Sequence, residues 1–288
     1  MTIESTLEPT LLATGRRSRP RHYLLCPPVY FDVQYSINPW MDPEKPTSQA
    51  LALAQWESLY DLLVSLGHQV DVLWPEPGLP DMVFAANGAT VVDGRALVAR
   101  FRHEQRDGES RHYVSWLRAH GFETVEQATY VNEGEGDFLT TGRAVLAGSG
   151  FRSDPRAHAE TRELLGRPVI GLQLVDPRFY HLDTALAVLD DNEIAYYPEA
   201  FSDESREELR ELFPDAVLAD EEDANVFGLN AVSDGRNVIL PEAATGLAAK
   251  LRERGFVTHG LDLSELLKAG GSVKCCTLEL RYPQDPPR

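Results

Sequence analysis

Cysteine and long apolar runs are the scarcest features of this 288-residue sequence. The three cysteines are Cys26, Cys275 and Cys276, an odd and sparse set that argues against a disulfide framework and for a reducing compartment. No run approaches the roughly 18 apolar residues of a membrane span, and the N-terminus lacks the apolar core of a signal peptide. We therefore expect a cytoplasmic protein with no membrane partner, in which residues 1–20 form a mobile tail.

Positive charge is also scarce, since the formal net charge is −18 at pH 7. Such a surface repels phosphate backbones, which argues against nucleic-acid binding, whereas a small cationic ligand is not repelled. With 43% hydrophobic and 25% charged residues, the composition is that of a globular protein. No long Pro/Gly/Ser linker interrupts residues 21–285, so we expect one domain there.

The common metal and cofactor motifs are missing as well. The sequence has no HExxH or CxxC spacing, no GxGxxG or Walker phosphate loop, and no GxSxG elbow. We therefore expect neither a metal nor a cofactor, and a small-molecule partner instead.

One pattern recurs along the chain at intervals of roughly 40 to 50 residues, a spacing typical of repeat architectures. Two strand-like runs are joined by turn residues, and a helix and a third strand follow. The predicted turns are Asp93-Gly94, Thr141-Gly142, Asp191-Asn192 and Asp234-Gly235. The predicted helices after them are Arg111–Ala119, His158–Leu165, Ser205–Phe213 and Ala243–Arg254.

This strand-strand-helix-strand unit is predicted about four times, and Cys275–Leu280 opens a fifth. A further helix is predicted over Thr47–Leu66, followed by a strand at His68–Leu73. Mixed units of this kind indicate α/β modules around a common centre. An all-strand β-propeller is disfavoured because helices interrupt every unit.

Reactive side chains lie at or just before the starts of these units. If equivalent positions face a shared axis, one thiol, one imidazole and several carboxylates meet there. The residues are Asp81 and Asn87, Glu133 and Asp137, His181 and Asp183, Asn225 and Asn230, and Cys275.

Cys275 is the predicted nucleophile, although a cysteine among apolar residues is usually buried and inert. The glycines at 270–271 allow close approach of the backbone to a ligand, and the cationic Lys274 favours a thiolate. We expect Cys276 to point to the opposite face of a strand as a core residue, and Cys26 to be structural.

The sequence His181-Leu182-Asp183 predicts two polar side chains on one strand face, suited to a shared ligand. A lone histidine is more often structural, and Asp137 and Asp183 could merely cap turns. Glu133, in a glycine-rich loop, is harder to explain as a cap.

The segments PDMVFAAN, FRHEQR, EGEGD, FYHLD and GGSVKC resemble motifs of the pentein superfamily of guanidino-group-modifying enzymes, in the family's order and spacing. The resemblance covers nearly the whole chain after residue 20. It implies a five-bladed α/β propeller of pseudo-symmetric ββαβ modules around a central active site.

The resemblance also implies roles for single residues. Cys275 corresponds to the nucleophile and His181 to the general acid and base. Glu133, counted with them as catalytic, holds guanidinium nitrogens together with Asp81 and Asp183.

Further residues match substrate-binding positions. Arg106 and Arg152 match positions that bind the α-carboxylate, and Asn38, in FDVQYSINPWM, resembles a segment of arginine dihydrolases. Asn87 departs from the acidic residue usual in deiminases and dimethylargininases. Two polar, irregular stretches are candidate lids: Asn38–Pro46 and Arg102–Glu109.

These features favour a cysteine-dependent hydrolase that converts arginine to ornithine, carbon dioxide and two ammonia. An amide at Asn87 both donates and accepts hydrogen bonds, so it suits a neutral ureido group as well as a cation. The alternatives are a dimethylargininase acting on N-methylated arginine, an amidinotransferase, and a non-catalytic guanidino-metabolite binder. The oligomeric state stays open, a homo-oligomer included.

Overall fold

Short strands dominate the computed structural model, which describes residues 15–283 and arranges them in five three-stranded sheets. The strands are β1 (His22–Leu25), β2 (Gln69–Val72), β3 (Ala89–Val92), β4 (Arg95–Val98), β5 (Thr124–Gln127), β6 (Phe138–Thr140), β7 (Val145–Ser149), β8 (Val169–Gln173), β9 (Leu186–Asp190), β10 (Glu193–Tyr196), β11 (Val217–Leu218), β12 (Val232–Ser233), β13 (Asn237–Pro241), β14 (Val257–Leu261) and β15 (Leu278–Glu279).

Helices connect these strands. The α-helices are α1 (Gln49–Ser65), α2 (Ser110–Ala119), α3 (Arg156–Leu165), α4 (Leu182–Ala185), α5 (Asp203–Leu212), α6 (Glu221–Asn225), α7 (Thr245–Glu253) and α8 (Ser264–Leu267). Short 3-10 helices occupy Pro80–Val83, Ala85–Gly88, Glu104–Glu109, Gly134–Gly136 and Pro198–Ala200. Within the described range, no helix has the length and apolarity needed to cross a bilayer.

All five sheets follow one plan. The first two strands pair antiparallel, and the second pairs parallel with a third that returns after a helix. The strand orders are β3-β4-β5, β6-β7-β8, β9-β10-β11, β12-β13-β14 and β15-β1-β2. The predicted strand-strand-helix-strand unit and its four hairpins are confirmed, and the fold is a mixed α/β fold.

The fifth sheet joins the two ends of the chain. Strand β15 pairs antiparallel with β1, which pairs parallel with β2 after helix α1. The unit that Cys275–Leu280 opens is therefore completed by the N-terminal segment, a link that the sequence did not predict.

Local chemistry explains why these elements form where they do. At the β3–β4 turn, Asp93 and Gly94 both take positive φ values, 51° and 76°, as a tight two-residue hairpin requires. At the start of α1, the Ser48 side chain accepts a hydrogen bond from the Leu51 amide. Helix α1 buries one face. Its buried residues are Ala52, Gln55, Trp56, Leu59 and Leu63.

The expected mobile tail is wrong for its last residues. The Arg16 guanidinium binds the Glu193 carboxylate at 2.8 Å, and the Ser18 hydroxyl donates to Asp234 Oδ2 at 2.8 Å. These contacts fix residues 16–18 against the third and fourth sheets. The remainder of the predicted tail, residues 1–14, lies outside the described residues.

Candidate active site

Most of the predicted reactive residues come together, and those that do are almost completely buried. Exposure is at most 3% for each of eight predicted site residues. These are Asp81, Asn87, Arg106, Glu133, Arg152, His181, Asp183 and Cys275. The ninth, Asn38, is half-buried at the edge of the group.

Short elements that precede the sheets hold these side chains. Two 3-10 helices before β3 carry Asp81 and Asn87. Glu133 immediately precedes the 3-10 helix Gly134–Gly136. His181 immediately precedes α4, and Cys275 lies in the turn before β15. The starts of the units therefore lie near one another in the structure.

The thiol of Cys275 contacts two polar groups. Its Sγ lies 3.3 Å from Asp183 Oδ2 and 3.1 Å from Asn230 Nδ2, and its backbone N–H donates to Asn230 Oδ1 at 3.1 Å. Burial, followed by the charge of Asp183, raises the pKa of the Cys275 thiol well above its usual value. The substrate-free site therefore holds a neutral thiol near pH 7.

Two expectations around this cysteine are wrong. Cys275 and Cys276 lie in a turn, not on a strand, although Cys276 is a fully buried core residue as expected. The Lys274 ammonium binds Glu135 Oε2 at 2.7 Å and the Thr277 carbonyl oxygen at 2.9 Å. Its hydrogen bonds therefore hold the ammonium on Glu135 and Thr277, and not on the Cys275 thiol.

His181 is oriented by a carboxylate. Its Nε2 lies 2.7 Å from Glu133 Oε2, which also accepts from Arg152 Nη1 at 2.6 Å. Burial raises the pKa of Glu133, but the charge of Arg152 and the hydrogen bond from His181 outweigh it, so that this pKa lies well below its usual value. Glu133 is therefore ionised, His181 Nε2 donates to it, and Nδ1 is the ring atom left for proton exchange.

His181 and Asp183 do not share a strand face, contrary to prediction. His181 has extended backbone angles at the N-cap of α4, whereas Asp183 belongs to that helix. The two side chains consequently reach different partners, Glu133 and Cys275. Asp137 accepts from the Ser153 hydroxyl and the Leu182 amide, so its role is structural support of the α4 start.

Three buried polar atoms in this group have no hydrogen-bond partner among the described residues: Asp81 Oδ1, Asp183 Oδ1 and His181 Nδ1. Burial raises the pKa of Asp183 to about 7, and it also raises the pKa of Asp81. Unsatisfied buried acceptors are uncommon in folded proteins. Two carboxylate oxygens that lack partners are suited to the N–H groups of a cation.

The two arginines are already engaged by the protein. Arg106 donates to both carboxylate oxygens of Glu109, at 2.8 and 2.9 Å, and to Asn87 Oδ1 at 2.8 Å. Arg152 donates to the Ile37 carbonyl oxygen at 2.9 Å. One N–H of Arg106 Nη1 remains after these contacts.

The segment before α1 lies over the site. The Tyr35 hydroxyl donates to Asp81 Oδ2 at 2.8 Å, and Asn38 Nδ2 donates to the Ala269 carbonyl oxygen at 3.0 Å. This placement is compatible with the candidate lid at Asn38–Pro46. The other candidate contains the 3-10 helix Glu104–Glu109, which supports the site instead of forming an irregular stretch.

Sequence reasoning gave no role to Asn230, Glu109 or Tyr35. Asn230 was visible only as a polar residue at the start of the fourth unit, and Asn225, noted beside it, instead accepts from Arg178 at 2.9 Å. For Tyr35 and Glu109 the sequence held no signal, since their partners are decided by the fold.

A thiol, a carboxylate-oriented imidazole and unpaired buried carboxylates, gathered at the starts of four of the five ββαβ units, define a cysteine-dependent hydrolase of guanidino compounds. The family described as N,N dimethylarginine dimethylhydrolase, eukaryotic, matches residues 33–282. The N(G),N(G)-dimethylarginine dimethylaminohydrolase of Mycobacterium tuberculosis is 58% identical, over 92% of this chain and 87% of that one. The chain belongs to this dimethylarginine dimethylaminohydrolase family and is a hydrolase of C–N bonds in linear amidines.

Arginine dihydrolases are also similar. The bifunctional arginine dihydrolase/ornithine cyclodeaminase ArgZ of Synechocystis is 38% identical over 90% of this chain, which spans only 38% of that protein. The solved N-terminal domain of ArgZ, bound to substrate, matches with a TM-score of 0.88 and 37% identity, over 91% of this chain and 99% of that one. A solved dimethylarginine dimethylaminohydrolase adduct, at TM-score 0.74 and 21% identity, supports the fold alone.

Proposed function

We propose that this protein is an arginine dihydrolase, which converts arginine and two waters to ornithine, carbon dioxide and two ammonia. The observation that carries the proposal is the buried amide of Asn87. Its Oδ1 accepts from Arg106 at 2.8 Å, so its Nδ2 must face the opposite way, toward the Glu133 carbonyl oxygen at 3.4 Å.

The nitrogen side of this amide faces the same part of the site as the imidazole. A side-chain carbon added at Gly136 would collide with Asn87 Nδ2 and lie 3.2 Å from His181 Nδ1. An N–H in this place can donate to the oxygen of a neutral ureido group, which a carboxylate cannot do. The second hydrolysis needs such a donor, because its substrate no longer carries the guanidinium charge.

In the first step, Asp81, Asp183 and Glu133 hold the guanidinium group and fix its plane through charge-assisted hydrogen bonds. The unpaired oxygens of the two aspartates support this role. A cation beside Asp183 also offsets the charge that disfavours the Cys275 thiolate. Substrate binding therefore prepares the nucleophile.

Cys275 then passes its proton to His181 Nδ1, and Sγ attacks the guanidinium carbon. His181 delivers that proton to the departing ammonia as the carbon–nitrogen bond breaks. His181 next removes a proton from water, which attacks the amidino-thioether carbon, breaks the carbon–sulfur bond and leaves a ureido group. A second cycle on that group, with its oxygen held by Asn87, yields ornithine, carbon dioxide and the second ammonia.

Binding of the substrate α-carboxylate is proposed for Arg152 and Arg106, with Asn38 beside them. For Arg106 the free N–H of Nη1 supplies this contact. Each arginine keeps a carboxylate partner, Glu133 for Arg152 and Glu109 for Arg106. These partners support a preorganised anchor.

We further propose that residues 21–285 form one catalytic domain in which the five sheets surround a common axis as a five-bladed α/β propeller. Contacts of β15 with β3 and of β9 with β12 support this arrangement, as does the meeting of all unit starts at one site. Three unbridged thiols suit a cytoplasmic, reducing location.

A dimethylargininase is the second candidate, favoured by the 58% identity to the mycobacterial enzyme of that name. The two candidates share the Cys275 and His181 chemistry. They differ in whether N-methyl groups fit beside the guanidinium nitrogens and in whether the product ureido group is hydrolysed again.

The test is incubation of the purified protein with arginine, asymmetric dimethylarginine and agmatine, with mass spectrometry of the products and the Cys275→Ala variant as blank. Ornithine from arginine supports the proposal. Citrulline as the end product, formed faster from dimethylarginine with release of dimethylamine, contradicts it and supports the second candidate.

A further inference from the structure

A second side chain contacts the thiol of Cys275 directly. Asn230 lies between α6 and β12 and is fully buried. Its Nδ2 is 3.1 Å from Cys275 Sγ and 3.1 Å from the Asp183 carbonyl oxygen. Its Oδ1 accepts from the Cys275 backbone N–H at 3.1 Å. One amide therefore links the nucleophile to the helix that carries Asp183.

The orientation of this amide follows from its partners. The backbone N–H of Cys275 can only donate, so the oxygen of Asn230 must face it. The Asp183 carbonyl oxygen can only accept, so it must face the nitrogen. One N–H of Nδ2 is then used by that carbonyl group, and the other points at Sγ.

We propose that Asn230 is a further catalytic residue, which donates a hydrogen bond to the Cys275 thiolate and holds it beside Asp183. The proposal rests on the proposed role of Cys275 as nucleophile. A thiolate is a much stronger hydrogen-bond acceptor than a thiol, so the contact stabilises the reactive form selectively.

The surroundings of Sγ make such a donor necessary. Burial raises the pKa of Cys275, and the charge of Asp183 and the neighbouring Cys276 raise it further, whereas a backbone hydrogen bond from Ser272 lowers it. The ammonium of Lys274 is held by Glu135 and not by Sγ. Among the described side chains, Asn230 is the donor that faces Sγ. The phenol of Tyr180 donates elsewhere, to the Gly270 carbonyl oxygen.

The backbone around Asn230 is fixed as firmly as its side chain. Its carbonyl oxygen accepts from the Lys274 N–H at 3.3 Å, and its own N–H donates to the Phe227 carbonyl oxygen at 2.9 Å. Phe227 has a φ of 59°, which is uncommon for a residue with a side chain. Strained backbone of this kind persists where surrounding contacts determine it.

The test measures the pH dependence of Cys275 alkylation by iodoacetamide in the substrate-free enzyme, with the Cys275 peptide quantified by mass spectrometry. A hydrogen bond to a charged group corresponds to about one to two pKa units. Asn230→Ala should raise the midpoint pH of Cys275 alkylation by this amount. At pH values below the midpoints of both proteins, the variant should be alkylated about tenfold to a hundredfold more slowly than the wild type. Asn230→Asp should raise the midpoint further, because a carboxylate then faces Sγ.

The matched control is Asn225→Ala, which removes an amide of the same segment that binds Arg178 outside the site; its midpoint should equal that of the wild type. An unshifted midpoint in folded Asn230→Ala overturns the inference. If that variant does not fold, a midpoint in the nearly isosteric Asn230→Asp no higher than in the wild type overturns it. Failure of the proposed function is seen separately, as the absence of ornithine when the wild-type protein is incubated with arginine. Failure of the nucleophile assignment is seen as arginine turnover by Cys275→Ala.

Discussion

Replacement of Asn87 by aspartate should separate the two hydrolytic steps proposed for this site. Aspartate can still accept the hydrogen bond that Arg106 now gives to Asn87 Oδ1 at 2.8 Å. On the other side, however, an acceptor replaces the N–H that faces the Glu133 carbonyl oxygen and Gly136. The variant therefore retains affinity for a cation but loses the donor for a ureido oxygen.

The size of the effect follows from one unmade hydrogen bond in a buried site. Such a loss costs about 1–3 kcal/mol, which slows the second hydrolysis by about fivefold to 150-fold. Arginine should still be consumed by Asn87→Asp, while citrulline accumulates in place of ornithine.

The assay is a time course of arginine, citrulline and ornithine by mass spectrometry, with Asn225→Asp as a control for an amide-to-acid change in a segment outside the site. An unchanged ratio of ornithine to citrulline in Asn87→Asp would refute the reasoning about the amide. Loss of all arginine consumption would show that the acid disrupts the site before the first step, which also contradicts it.

Three further predictions concern the nucleophile, a buried ion pair and pH. Cys275→Ala should abolish turnover and Cys276→Ala should keep most of it; the reverse reassigns the nucleophile. Arg106→Ala should lower the unfolding free energy by about 3–5 kcal/mol in chemical denaturation, because Glu109 is left buried and unpaired. An equal loss of unfolding free energy in the double variant Arg106→Ala/Glu109→Gln would contradict this reason. Burial raises the pKa of Asp183 to about 7 in the fold, above its value in the unfolded chain. The stability that Asp183 contributes is therefore lost as pH rises from about 4 through 7. The melting temperature of Asp183→Asn, measured relative to that of the wild type, should accordingly increase between pH 5 and 8.

The repeated unit was predictable because its signals are local. Turn pairs such as Asp93-Gly94 specify a hairpin within a few residues, and the apolar spacing of α1 specifies its buried face. Pairing of β15 with β1 has no such signal. It joins Tyr23 to Glu279 across almost the whole chain, and only the common centre of the units brings these strands together.

The membership of the site was predictable, but its internal partnerships were not. Equivalent positions at the unit starts singled out Glu133, His181 and Cys275, which are buried in the structure. Helix α4, at Leu182–Ala185, is too short for its period to be read, so His181 and Asp183 were wrongly assigned to one strand face. The pairing of Lys274 with Glu135 spans two units and changes the electrostatics expected from the neighbour of Cys275.

The amide of Asn230 illustrates the same limit. Its position before β12 was visible in the sequence, yet its three hydrogen bonds to Cys275 and Asp183 depend on how the third, fourth and fifth units meet. Contacts of this kind need the relative placement of units, which hydrophobic period and turn chemistry do not give.

An arginine dihydrolase must hydrolyse both the guanidinium group and the ureido group that follows. The most direct measurement is the fate of the guanidino carbon in arginine labelled isotopically at that atom. The label should leave as carbon dioxide, together with two ammonia and unlabelled ornithine for each arginine consumed. Retention of the label in citrulline, with one ammonia released, would contradict it.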